Sequence, residues 1–295
     1  MPEFRSVFVR APAKINLFLR ILAKEDTGYH QIETLFAAVG LYDELHLHRT
    51  DGGVSVDVVG PAVGPEEENL AYRAARALLE RVDSEAGVRI QLTKNIPIGA
   101  GLGGGSSDAG ATLRALNVLL GTPLSEAGLL ELAGSLGSDV PFFAMGAGAA
   151  LAWGRGGRLM VIPALQDTQV LLAVPPVSVS TALAYRELTP IRPSGPAVLD
   201  VQEVGRHRWL AENAVNDFES SVFRRHPELK EIQAAIAEQG ATVARMTGSG
   251  AAVYGVFPNP LAAESARASL SDGRKDVHFT VVEVLASQPQ PEPRM

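Results

Sequence analysis

The segment Pro97-Ile98-Gly99-Ala100-Gly101-Leu102-Gly103-Gly104-Gly105-Ser106-Ser107-Asp108 places five glycines in seven positions, between a strand-like alternation and a helix-like repeat. Such a loop can turn tightly and bring several backbone N–H groups onto one anion. The helix start that follows offers free amides and the positive end of its dipole, so a phosphate fits there. The Ser106 and Ser107 hydroxyls could bond oxygens or a metal. Three familiar loops are excluded by context. Gly99, Gly101 and Gly104 satisfy the dinucleotide spacing, but Thr122-Pro123-Leu124 opens another helix where a second strand ending in an acidic residue is needed. Gly104 is followed by Gly105 and Ser106 instead of the Lys-Ser/Thr of a Walker loop. Asp108 stands where a nucleophile elbow needs glycine.

Other residues could serve such a site. In Ala11-Pro12-Ala13-Lys14-Ile15-Asn16-Leu17 a cation and an amide lie two apart, on one side of a strand, and the apolar frame is unusual for a solvated lysine. Asp139, in Gly137-Ser138-Asp139-Val140-Pro141, is a turn former that could equally act as a carboxylate. Tyr29 and His30 follow a turn at Gly28 and offer a stacking face and a donor–acceptor ring to a flat heterocycle. Thr247-Gly248-Ser249-Gly250 adds amides and hydroxyls that could close over the same phosphates or simply join helix to strand. His46 and His48 share a strand face without a third ligand nearby, and read as solvated. The metal ligands are unassigned.

The elements that must position these residues follow from periodicity. Val7–Arg10, Ile15–Leu22, Asp43–His48 and Val54–Val59 read as strands, with Val54–Val59 the expected partner of Asp43–His48. Glu66–Val82 has helical spacing, Val88–Leu92 alternates, and helices are expected at Ser106–Leu120 and from Ser125 to Leu136. Further on come a strand at Gln169–Ala173, helical segments at Ser180–Leu188, Arg208–Ser220 and Pro227–Gln239, a strand at Ala251–Phe257, a helix at Leu261–Leu270 and a strand at Val277–Val284. Mixed strands and helices without a regular alternation predict an α+β fold. The 295 residues suffice for two domains, divided near Gly154–Arg158: residues 1–157, 158–287 and a mobile tail, 288–295. A net charge of −7 argues against a nucleic-acid partner, and zero cysteines exclude disulfides and thiolate chemistry. No apolar run reaches the roughly 20 residues of a membrane span, and the first residues lack a signal core, so a cytoplasmic protein without membrane association is expected.

Taken together, Ala11–Leu17, Gly28-Tyr29-His30, Pro97–Ser107, Asp139-Val140-Pro141-Phe142-Phe143 and Thr247–Gly250 resemble the GHMP kinase superfamily, in order and over most of the chain. The resemblance implies a two-domain GHMP kinase fold: an N-terminal domain like the second domain of ribosomal protein S5, packed on a ferredoxin-like C-terminal domain with the site in the cleft. It implies ATP as cosubstrate, with Mg²⁺, and phosphorylation of a sugar-alcohol hydroxyl. Gly28-Tyr29-His30 points to the branch whose substrate, cytidine diphosphate methylerythritol, belongs to non-mevalonate isoprenoid synthesis. By the same resemblance Lys14 and Asp139 are the catalytic pair, Pro97–Ser107 (Pro97, Ile98, Gly99, Ala100, Gly101, Leu102, Gly103, Gly104, Gly105, Ser106, Ser107) the ATP loop, and Asn16 a substrate contact. Tyr29, His30 and Tyr185 enclose the cytosine, and Thr247–Gly250 is a second phosphate-loop candidate. The threonine between Asp26 and Gly28 departs from the family pattern. Asp139 could take the proton of the attacking hydroxyl or only orient it. A mevalonate-type kinase and a non-catalytic nucleotide sensor are the alternatives, and a monomer or weak homodimer is expected.

Overall fold

The computed structural model describes residues 4–61, 63–163, 165, 168–188, 203–204 and 206–295. β1 (Ser6–Lys24) and β2 (His30–Thr50) form one long antiparallel hairpin, closed by the turn at Gly28. The two runs expected in the first forty residues are therefore one strand, bent by register shifts at Pro12/Ala13, Asn16/Phe18 and Ile21/Ala23. Leu45 and Leu47 face the core, as the alternation in this half of β2 requires.

β3 (Val54–Val59) does not pair with β2. It leads through a short 3₁₀ turn and α1 (Leu70–Arg81) to β4 (Gly87–Thr93), which lies between the two, antiparallel to β2 and parallel to β3. A helical crossover is what parallel pairing needs. β4 buries Val88, Ile90 and Leu92 and takes the interior position, while β3 stays half-buried at the edge. α1 begins later than Glu66 because the Asn69 side chain caps it, accepting the Ala71 N–H at 2.9 Å.

α2 (Gly104–Leu119), α3 (Glu126–Leu136) and α4 (Val140–Met145) follow, with α1, α2 and α3 sharing one core with the β1–β2–β4 face. β5 (Ala149–Gly154) then pairs with the first half of β2, and β6 (Arg158–Val161) with β5. The first sheet thus runs past residue 157, beyond the expected division.

The second sheet has the order β10-β7-β9-β8, antiparallel throughout: β7 (Gln169–Val174), β8 (Val243–Met246), β9 (Val253–Phe257) and β10 (His278–Glu283). Between β7 and β8 lie α5 (Thr181–Arg186), α6 (His207–Asn213), α7 (Glu219–Arg225) and α8 (Pro227–Glu238), and α9 (Pro260–Gly273) joins β9 to β10. Strand order and crossovers are those of the ferredoxin-like arrangement. The helix expected over Arg208–Ser220 is broken, because the Asn216 and Asp217 side chains bond other backbone groups: Asn216 donates to two carbonyls of the β8 loop and Asp217 accepts the Ile21 N–H at 2.7 Å. The middle of β1 packs on the second sheet, and Tyr254 Oη donates to Asn16 O at 2.9 Å.

The tail is a further correction. Residues 288–295 do not hang free: β11 (Glu292–Arg294) adds to the outer edge of β1, pairing Ser6 with Arg294, and Gln288 is buried. Proline and glutamine content suggested mobility, but edge pairing and side-chain hydrogen bonds outweigh it. The chain therefore returns to the first sheet after β10. No helix among the described residues is long and apolar enough to cross a membrane.

Candidate active site

β1 carries Lys14 and Asn16 past the glycine loop. Being two apart they project to one side, and Lys14 Nζ donates to Asn16 Oδ1 at 2.6 Å. Bulges flank the pair and re-aim it. Asn16 Nδ2 donates to Thr34 Oγ1 at 2.8 Å, and Thr34 donates to Phe18 O at 2.6 Å. The Asn16 backbone N–H reaches Thr247 Oγ1 at 3.1 Å. A chain of buried polar groups thus fixes the lysine's rotamer.

Asp139 immediately precedes α4, and its Oδ2 lies 3.7 Å from Lys14 Nζ. That is beyond a hydrogen bond but well within reach of the charge. Lys14 is 3% exposed and the Asp139 side chain 29%, so the ammonium is sealed while the carboxylate faces the opening. Burial holds the Lys14 pKa below the usual lysine range, partly offset by Asp139.

The glycine loop is tied on both sides: the Lys14 N–H donates to Leu102 O at 2.9 Å and the Ala252 N–H to Ala100 O at 3.0 Å. Gly101 and Gly103 take left-handed φ of 78° and 74°. A Cβ on Gly101 would fall 2.2 Å from Thr247 O, and one on Gly103 3.0 Å from Lys14 Cγ, so the glycines permit the close approach. α2 starts at Gly104, and Gly103 caps it without a side chain, which leaves the first-turn amides without a side-chain partner. Ser107 is turned away from them. It is buried and donates to Pro12 O at 2.6 Å, so it braces β1 against α2, and of the two hydroxyls expected at the anion only the partly exposed Ser106 is free of that task.

Thr247–Gly250 closes from the opposite side. A Cβ on Gly248 would lie 3.2 Å from Gly101 O and 3.4 Å from Lys14 Nζ, so this loop meets both the glycine loop and the lysine. Ser249 Oγ is 2.7 Å from Thr181 Oγ1 of α5. Asn216 Nδ2 holds the loop by donating to Met246 O at 2.7 Å and Gly248 O at 2.8 Å.

The aromatic residues are arranged differently from a simple pair of walls. His30 stacks on Tyr185, centroids 4.8 Å apart at 26°, and Tyr185 meets Phe218 edge-on at 4.8 Å. Tyr29 is 59% exposed and lies under the Arg155 guanidinium, 4.3 Å from the ring centre. Burial pushes the Tyr185 phenol up to about 12, helped by the negative charge of Asp139. Burial and then Lys24 hold the His30 imidazole below its usual range.

Sequence reasoning missed a second charged cluster under the same loop. Lys94 is buried between Asp43, with which it pairs directly, and Asp108, at 2.6 Å. Asp43 also accepts the N–H groups of Asn95 at 2.6 Å and Ile96 at 2.8 Å, which anchors the chain entering the glycine loop. Burial and the neighbouring Asp43 charge push the Asp108 carboxyl up to about 8 against the pull of Lys94. The signal was a lysine and an aspartate bracketing the glycines, but nothing local ties them to Asp43. Thr34 and Asn216 were missed as partners for the same reason.

No cluster of three or more His, Asp or Glu side chains among the described residues could hold a metal ion. Mg²⁺ commonly binds through substrate phosphates and one or two carboxylates.

The glycine loop and the buried Lys14 beside Asp139 thus lie where the two α+β lobes meet. Residues 69–147 match the GHMP kinases N terminal domain and residues 200–275 the GHMP kinases C terminal domain. The chain belongs to the GHMP kinase family. It is 40% identical over 257 residues to the 4-diphosphocytidyl-2-C-methyl-D-erythritol kinase of Syntrophomonas wolfei subsp. wolfei, covering 86% of this chain and 90% of that one. It is 41% identical over 273 residues to the protein of the same name from Solibacter usitatus, covering 87% and 83%. A crystal structure of 4-(cytidine 5'-diphospho)-2C-methyl-D-erythritol kinase superposes with a TM-score of 0.77 at 36% identity, over 93% of this chain and 98% of that one. A homoserine kinase from Cytophaga hutchinsonii shares the fold at a TM-score of 0.76 and 21% identity, over 99% and 98% of the two chains.

Proposed function

We propose that this kinase transfers the γ-phosphoryl group of ATP to the 2-hydroxyl of 4-diphosphocytidyl-2-C-methyl-D-erythritol, a step of isopentenyl diphosphate synthesis by the non-mevalonate route. The observation that carries the chemistry is the sealed Lys14 ammonium 3.7 Å from a solvent-facing Asp139, against the glycine loop. Relatives at about 40% identity bearing this activity in their names support the substrate. His30 and Tyr185 supply stacking faces for the cytosine ring, but with centroids 4.8 Å apart they touch each other, so the ring would have to separate them or lie on an outer face.

In this reading Pro97–Ser107 receives the triphosphate on the amides at the start of α2. Phosphoryl transfer asks chiefly for alignment and charge neutralisation. Asp139 accepts the hydroxyl hydrogen bond and takes its proton as the oxygen attacks, and Lys14, held by Asn16, offsets the charge that develops. Mg²⁺, for which the described residues offer no chelating cluster, would be carried by the phosphates of ATP and would supply charge neutralisation there. Thr247–Gly250 lines the far side of the transferred group. A monomer or weak homodimer working in the cytoplasm belongs to the same reading.

The test is ADP release from Mg-ATP with cytidine diphosphate methylerythritol or mevalonate, beside Lys14→Ala. Turnover with the cytidine substrate alone, lost in the variant, is expected. Turnover with mevalonate alone would reassign the substrate, and ATP binding without turnover on either would leave a nucleotide sensor.

A further inference from the structure

Asp139 stands at the start of α4, a helix of six residues, too short to hold its shape in water. Its position has to be imposed by what it packs on. On one side is α2, so near at Gly110 that a Cβ there would come within 2.5 Å of Phe143 Cβ. At the far end of α4 is the C-terminal segment.

Gln288 is 2% exposed. Its Nε2 donates to Phe142 O at 3.0 Å and to Ala147 O at 2.9 Å, and its backbone N–H donates to Gly146 O at 3.0 Å. These carbonyls lie in α4 and just beyond it, where a helix leaves its carbonyls without intrahelical partners. One glutamine therefore closes that end. The approach is close, since a Cβ on Gly148 would fall 2.2 Å from Leu285 O. Arg114 of α2, itself buried, reinforces the clasp by donating from Nη2 to Pro289 O at 2.8 Å, and it lies against Gly146. β11 then ties the segment to β1.

We propose that Gln288 is a positioning residue for phosphoryl transfer: by closing the C-terminal end of α4 it holds Asp139 at its station beside Lys14. The inference rests on the role given to Asp139 above. Misplacing a reacting group by about an ångström can cost a hundredfold in rate, whereas the surfaces that bind the triphosphate and the cytosine belong to other elements.

The experiment compares steady-state kinetics of Gln288→Ala and the near-isosteric Gln288→Met with wild type, Asp139→Asn and the control Gln239→Ala, at an exposed position at the end of α8. Folded enzyme is counted by near-UV circular dichroism well below the melting temperature. The expected result is a roughly tenfold or greater fall in kcat for both Gln288 variants, with KM for ATP and for the alcohol within about twofold and Gln239→Ala unchanged. A kcat per folded molecule within twofold of wild type in both variants overturns the proposal, including the case where the only loss is of folded protein. So does a loss confined to KM. If Asp139→Asn itself keeps wild-type kcat, the role of Asp139 fails. If Asp139→Asn is inactive while both Gln288 variants turn over normally, the positioning proposal alone fails.

Discussion

Two lysines are buried against the same glycine loop and are treated in opposite ways. Lys14 has a neutral hydrogen-bond partner, Asn16, and one half-exposed carboxylate at 3.7 Å; burial wins and its pKa is lowered. Lys94 is just as dry, but two buried carboxylates close on it, so burial is outweighed by Asp108 and Asp43 and its pKa is raised. Burial is common to both. The count and distance of the countercharges decide which ammonium is free to meet a new anion and which is spent on the fold.

The largest expected effects test that division at its reactive end. Asp139→Asn should lower kcat by about 10²–10⁴ while the melting temperature changes little, because the half-exposed carboxylate contributes little to stability. If Asp139 only orients the hydroxyl, the loss is milder and the acidic limb of the pH–rate profile survives. At the structural end, Lys94→Met strands Asp43 and Asp108 and should cost about 3–5 kcal/mol in urea unfolding, against a much smaller cost for Lys14→Met, whose loss is in turnover. Equal destabilisation by the two would erase the contrast.

A subtler effect follows from Asp108. Burial pushes its carboxyl up to about 8 from an ordinary value of 3.8, so between those values the native state holds a proton that the unfolded chain gives up, and Asp108 is a full countercharge to Lys94 only once that proton leaves. Its contribution is complete below pH 4 and is lost as pH rises to about 8. The unfolding free energy from urea titration should therefore fall with pH for wild type relative to Asp108→Asn, by at most about 1.4 kcal/mol per pH unit. A parallel pH dependence in the two proteins would remove Asp108 from the account. The smallest effect is on recognition: Tyr185→Ala should raise KM for the cytidine substrate about tenfold, the worth of one base–aromatic stack, and leave KM for ATP alone.

Much of the site was legible because its signals are local. The five glycines, the helix after them and the shared face of Lys14 and Asn16 depend on short-range geometry, and the structure keeps all three. The resemblance gave a role to Asp139, already visible as a carboxylate in a turn, and added Tyr185; the first lies 3.7 Å from Lys14 and the second against His30. What failed was long-range. β3 was paired with the wrong neighbour because β4, which separates it from β2, comes later in the chain. Ser107 carries a hydroxyl of the right type, but Pro12 O claims it. The tail looked mobile because neither the carbonyls of α4 and the turn after it that receive Gln288 nor the β1 edge is near it in sequence.

The sequence by itself determined which chemical groups exist, where the backbone can turn and which runs are helix or strand, since these follow from side-chain type and periods of two or 3.6 residues. Only the tertiary structure decided that Lys14 would face one open carboxylate, that Lys94 would be shut between two, and that the last residues would clasp the helix bearing Asp139. Coulomb energy and desolvation depend on distances through space, and residues 51, 125 or 146 positions apart acquire such distances only when the chain has packed.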